Sequence, residues 1–136
     1  MSVGMMGLDT NILLRALLKD DARQSPAAAR VLEGLTPEAP GYVNMAVLLE
    51  VMWTLSRRYK ASRAELMATL EGLLESPGYV LADREAVIDG LEIMQAEKLD
   101  FADAMIGALN QRAGCEATWT FDAKASTRAL FQRVES

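Results

Sequence analysis

Residues 3–18 read VGMMGLDTNILLRALL, and the change of character at Asp9 decides the fold. Val3 to Leu8 is a run of apolar residues and glycines, which predicts a short buried strand. Beyond it, Ile12, Leu13, Leu14, Leu17 and Leu18 fall on most faces of a helix, so residues 11–18 are expected to start a buried one. An acid therefore stands where a strand hands over to a helix. Asp20 and Asp21 end that helix.

The same alternation continues along the chain. Pro26 suits a first helical turn with Ser25 as its cap, opening a helix through Ala27, Ala28, Val31 and Leu32 to Gly34. The turn-rich linker TPEAPG (36–41) leads to a second strand at 42–45. Residues 46–59 are helical, with Val47, Leu48, Val51, Trp53 and Leu55 apolar and Arg57, Arg58 and Lys60 complementing the dipole at the end. SRAE (62–65) is a capping box that starts a helix through Leu66, Leu70, Leu73 and Leu74.

After a break at Pro77 and Gly78, residues 79–81 form a third strand. Asp83 caps a helix carrying Val87, Ile88, Leu91 and Met94; Asp100 caps another with Phe101, Ala104, Met105, Ala108 and Leu109, ending at Gly114. Residues 115–120 make a fourth strand, Phe121 and Asp122 a turn, and 124–131 a last helix. Strands alternating with helices imply crossover connections and a mainly parallel sheet covered on both faces. The expected fold is α/β: a three-layer α/β/α sandwich around four to five strands, in a single domain over residues 1–136.

Composition narrows the chemistry. Hydrophobic residues make up 51% of the 136 and charged ones 24%, which places the chain among folded globular proteins. Histidine is absent, so imidazole acid–base catalysis, Ser-His-Asp triads and imidazole zinc sites are excluded. The single cysteine, Cys115, rules out thiolate zinc sites and an intrachain disulfide. It is expected to be a small buried apolar side chain in a reducing cytoplasm. Any metal has to rest on oxygen ligands, which selects hard ions such as Mg²⁺ or Mn²⁺. The first 18 residues lack a basic start and are interrupted by Asp9, Thr10, Asn11 and Arg15, so neither a signal peptide nor a membrane span is expected. A net charge of -5 argues against a nucleic-acid partner. Clustered carboxylates would account for most of that deficit, and bound cations reverse the local sign.

The acids themselves are the candidates. In open α/β sheets ligands bind beyond the carboxyl ends of the strands, where Asp9 and Asp122 fall, although each can also be read as a helix cap. Glu50 lies among Leu48, Leu49, Val51, Met52 and Trp53, with no basic partner one turn away; it is either a surface glutamate or a site residue. Asp100 and Asp103 begin one helix three residues apart, as cap and dipole-favoured acid or as ligands facing a site. Gly107, further along, would let backbone or a ligand come close. Four acids without histidine suit cations, whose charge offsets their repulsion, and phosphodiester hydrolysis is the chemistry such cations serve.

Four segments, LDTN (8–11), LEVMW (49–53), LDFADA (99–104) and TWTFD (118–122), carry a family resemblance in order and spacing across essentially the whole chain. The chain resembles PIN-domain ribonucleases, and more closely the VapC-type toxins of bacterial and archaeal toxin–antitoxin pairs. The resemblance implies that Asp9, Glu50, Asp103 and Asp122 form the catalytic quartet holding Mg²⁺ or Mn²⁺. It implies that Asn11 and Thr120 orient those carboxylates and that Asp100 supports them. The family has a five-stranded parallel sheet, for which residues 131–136 leave little room here. It also implies an RNA substrate such as tRNA or rRNA, a homodimer, a cognate antitoxin protein and no membrane. The antitoxin would need exposed apolar surface from the helices around 31–35 and 47–55.

Candidate RNA-backbone contacts are Arg15, Lys19, Arg57, Arg58 and Lys124, each of which also reads as an ordinary surface charge. Trp53 and Trp119 are expected to pack rather than stack on bases. Two other functions compete with the nuclease: a non-catalytic PIN-like module binding RNA or protein, and a phosphohydrolase for small phosphate esters. The last lacks a second aspartate two residues beyond Asp9, where Asn11 stands.

Overall fold

The computed structural model describes residues 4–122 and 130–135. The chain is of the mixed α/β class with parallel strands, and it divides into two compact units, Met1–Ala82 and Asp83–Ser136.

In the first unit, β1 (Met6–Gly7), β2 (Gly41–Val43) and β3 (Tyr79–Leu81) pair side by side in parallel, with Met6 opposite Gly41 and Val43 opposite Leu81. Parallel neighbours need long crossovers. Here α1 (Thr10–Leu18) and α2 (Gln24–Glu33) make the first, and α3 (Met45–Arg57) and α4 (Arg63–Glu75) the second. β1 is shorter than the expected 3–8 and it is not buried: Met6 is 61% exposed. It lies at one end of the three-strand order, and the burial passes to Leu8 just beyond it. Leu13, Leu48, Val51, Met52 and Leu70 are almost wholly enclosed and form the core of this unit with Val43 and Leu81.

Side chains fix the helix starts. Asp9 begins α1, its carboxylate accepting from the Thr10 N–H at 2.8 Å. α2 starts two residues before Pro26, because Asp21 takes the capping role expected of Ser25. It accepts from the N–H groups of Gln24 at 2.7 Å and Arg23 at 2.9 Å. Those donors hold the Asp21 carboxyl below the ordinary aspartate range, Gln24 contributing most. Ser25 is buried, and its hydroxyl accepts from the Asp21 N–H. Asn44 is the cap of α3, accepting from the Val47 N–H at 2.8 Å, so the second strand stops before it rather than at 45. The capping box of α4 is complete: the Ser62 hydroxyl accepts from the Glu65 N–H, and Glu65 accepts from the Ser62 N–H.

The second unit holds α5 (Arg84–Glu97), α6 (Phe101–Arg112), β4 (Thr118–Thr120) and β5 (Phe131–Arg133). α5 and α6 pack against each other at a glycine: a Cβ on Gly90 would collide with the Met105 sulfur. Asp83 precedes α5 but makes no side-chain capping bond. Its φ of 51° is left-handed, whereas a capping side chain requires an extended backbone. β5 lies parallel to β4, Thr118 opposite Phe131 and Thr120 opposite Arg133, so three residues suffice for the strand that seemed to lack room. Phe131 therefore begins a strand instead of ending the helix expected at 124–131, most of which lies outside the described residues. Gly107 admits a close approach, and the neighbour is the Phe131 ring, 2.9 Å from where a Cβ would stand. Cys115 is exposed, correcting the buried reading; it follows the end of α6, where nothing covers it. Among the described residues no helix is long and apolar enough to cross a membrane.

Two substitutions grade these interactions. Leu70→Ala, at a fully enclosed position, is expected to cost about 2–5 kcal/mol. Ser62→Ala, which removes half of an exposed capping box, is expected to cost about 1 kcal/mol. Urea denaturation of both variants measures the difference, and equal midpoints would contradict this picture of the first unit.

Candidate active site

The first unit contributes Asp9, Asn11 and Glu50, all exposed. Asp9 follows β1 directly and starts α1; Glu50 lies on α3 beside the enclosed Val51 and Met52. Between them stands Thr10, which is 7% exposed. Its backbone N–H donates to the Asp9 carboxylate, and its hydroxyl donates to Oε1 of Glu50. Glu50 is thus a surface residue whose carboxylate is engaged. Thr10 is the residue that sequence reasoning missed. Its signal was a hydroxyl in the first position of a helix, next to an acid.

The second unit contributes Asp100, Asp103, Thr120 and Asp122. Asp100 precedes α6 with an extended backbone, but its side chain makes no capping hydrogen bond to the helix, contrary to the expected capping role. Asp103 stands in the first turn of α6 and is half-buried. Asp122 lies just beyond β4, where its N–H donates to the Thr120 hydroxyl at 3.0 Å and so fixes the turn that carries its carboxylate. The Asp103 carboxyl is pushed above the ordinary aspartate range, first by burial and then by the charges of Asp100 and Asp122. Two further acids of this unit therefore act on the Asp103 carboxyl. Among the described residues, no group of three or more acids is close enough to enclose an ion. The donor set itself, carboxylates and hydroxyls only, is the kind that hard divalent cations prefer.

The proposed backbone contacts differ in availability. Arg15 is taken up by Asp20, with Nη1 to Oδ1 at 2.9 Å, and its Nε is buried without a protein partner among the described residues. Lys19 is exposed in the left-handed turn that ends α1. Arg57 and Arg58 are exposed at the end of α3, the Arg58 guanidinium 6.0 Å from the centre of the Tyr59 ring. Lys124 lies outside the described residues. Trp53 and Trp119 do not pack as expected: they are 61% and 75% exposed, because α3 buries its Leu48, Val51, Met52 and Leu55 instead, and three-residue β4 buries nothing fully.

The raised Asp103 carboxyl has a thermodynamic consequence. Native Asp103 binds its proton more tightly than the unfolded chain does, so stability falls as pH rises from the ordinary aspartate range through the raised native value. Asp103→Asn is therefore expected to be more stable than wild type at neutral pH in EDTA. The gap should close as pH drops below the ordinary aspartate range. Thermal unfolding across a pH series checks this; a constant gap at every pH would refute it.

No curated protein matches the chain. Among solved structures it is similar to VapC20 of Mycobacterium tuberculosis, described as a sarcin-ricin loop cleaving toxin, at 22% identity and a TM-score of 0.42. That alignment covers 91% of this chain and 94% of the other. The family model for the PIN domain matches residues 6–130, a span that includes Asp9, Glu50, Asp103 and Asp122, and the chain belongs to the PIN-domain family.

Proposed function

We propose that this protein is a metal-dependent endoribonuclease, the toxin of a VapBC-type toxin–antitoxin pair. The observation that carries the reading is the PIN-domain match over residues 6–130 in a chain that has acids at all four quartet positions. In this reading Asp9, Glu50, Asp103 and Asp122 together hold Mg²⁺ or Mn²⁺. Their oxygen-only chemistry supports that choice, as does the mutual repulsion felt at Asp103, which a cation would relieve.

A divalent ion bound there supplies Lewis-acid charge at the scissile phosphate and lowers the pKa of water. The chain's own residues do the rest. The half-buried start of α6 holds Asp103 in a setting less polar than bulk water, where its charge acts more strongly. Thr120 fixes the turn bearing Asp122, while Asn11 and Asp100 support the carboxylates. Exposed Lys19, Arg57 and Arg58, with Lys124, neutralise the RNA backbone, a role for which Arg15 is the weakest candidate given its pairing with Asp20. A homodimer in the cytoplasm, held inactive by a cognate antitoxin, completes the proposal; exposed Val31 and Trp53 on α2 and α3 offer apolar surface for such a partner.

The test is cleavage of a mixed tRNA and ribosomal RNA pool with Mn²⁺ by wild type and Asp103→Asn. Discrete products are expected from wild type, with the variant slowed at least about 100-fold, since even changes behind the ligands cost about 10–100-fold. Equal cleavage by the variant, or RNA binding by folded wild type without any cleavage, would overturn the nuclease reading; the second result would favour a binding module.

A further inference from the structure

Thr10 touches both candidate acids of the first unit, Asp9 and Glu50, and it does so with two different groups. Its N–H donates to the carboxylate of Asp9, the preceding residue, and its hydroxyl donates to Glu50, 40 positions further along the chain. The residue is 7% exposed and held at the first position of α1. Both hydrogen bonds are thus made from a side chain and a backbone with little freedom to move. We propose that Thr10 is a positioning residue that gathers the Asp9 and Glu50 carboxylates into a preformed pair for a divalent cation. The inference rests on the metal-dependent reading given above.

The physical argument starts from the cost of bringing like charges together. Two carboxylates repel, and each prefers full hydration to proximity. A residue that donates to each of them offsets part of that repulsion, and charged acceptors make such bonds about twice as strong as neutral ones. One oxygen of each carboxylate is engaged by Thr10, and a carboxylate has a second oxygen with which it can bind a hard cation. A purely structural role would need only the shape of the side chain. Valine has nearly that shape and lacks the hydroxyl; serine has the hydroxyl and lacks the methyl.

The experiment is calorimetric titration of Mn²⁺ into metal-free wild type, Thr10→Val and Thr10→Ser, without RNA, alongside thermal unfolding of each in EDTA. The expected result is that Thr10→Ser binds within about 3-fold of wild type while Thr10→Val binds about 10-fold more weakly or worse. Thr10→Ala replaces the valine variant if valine prevents folding, and the same weakening is expected. Unchanged Mn²⁺ affinity in the hydroxyl-free variant would overturn the positioning role, as would equal weakening in the serine variant. Wild type that binds no Mn²⁺ would instead overturn the metal-dependent reading, and the role of Thr10 with it.

Discussion

A carboxylate kept half-buried beside others of its own sign is the constraint around which this molecule is arranged. Asp103 stands in the first turn of α6, where burial and the charges of Asp100 and Asp122 all oppose its ionisation. Nothing in the packing of the helix demands an acid there. The helix buries Phe101, Ala104, Met105 and Ala108, with Met105 against Gly90 of α5 and Gly107 against Phe131 of β5. Those apolar contacts hold an unfavourable charge in place, and the proposed cation would relieve it.

The first unit solves a related problem differently. Asp9 and Glu50 remain at the surface, and each has one oxygen satisfied by a donor of Thr10. Parallel pairing makes this possible. Because β1 and β2 run the same way, the helices that follow them, α1 and α3, begin at the same end of the three-stranded sheet. Asp9 and Asn44 cap these two helices. The wiring that brings a threonine at position 10 to a glutamate at position 50 is thus a result of strand direction.

Much of this was legible in the sequence, for identifiable reasons. The SRAE box and the leucine spacing behind it define α4 because capping and helical periodicity are local. The alternation of strands and helices gives the parallel class, and the order of the four acidic segments gives the family. What could not be read depended on contacts distant in sequence. Asp21 displaced Ser25 as a cap because the turn before α2 brings its carboxylate to the N–H groups of Arg23 and Gln24. Asp83 lost its capping role to a left-handed backbone, which composition does not reveal. Trp53 and Trp119 looked like packing residues because large aromatic side chains usually are, yet α3 turns other residues inward. For Thr10 only the hydroxyl beside Asp9 is local; its partner Glu50 lies 40 positions away.

The functional proposal turns on a divalent cation bound by the carboxylates of the quartet. Titrating Mn²⁺ into ¹⁵N-labelled protein and following paramagnetic broadening of the amide signals tests it most directly. The proposal predicts that the amides of residues 8–11, 50, 100–104 and 120–122 broaden before those beside the other surface acids. Broadening spread evenly over the surface acids, or none at these positions, would contradict it.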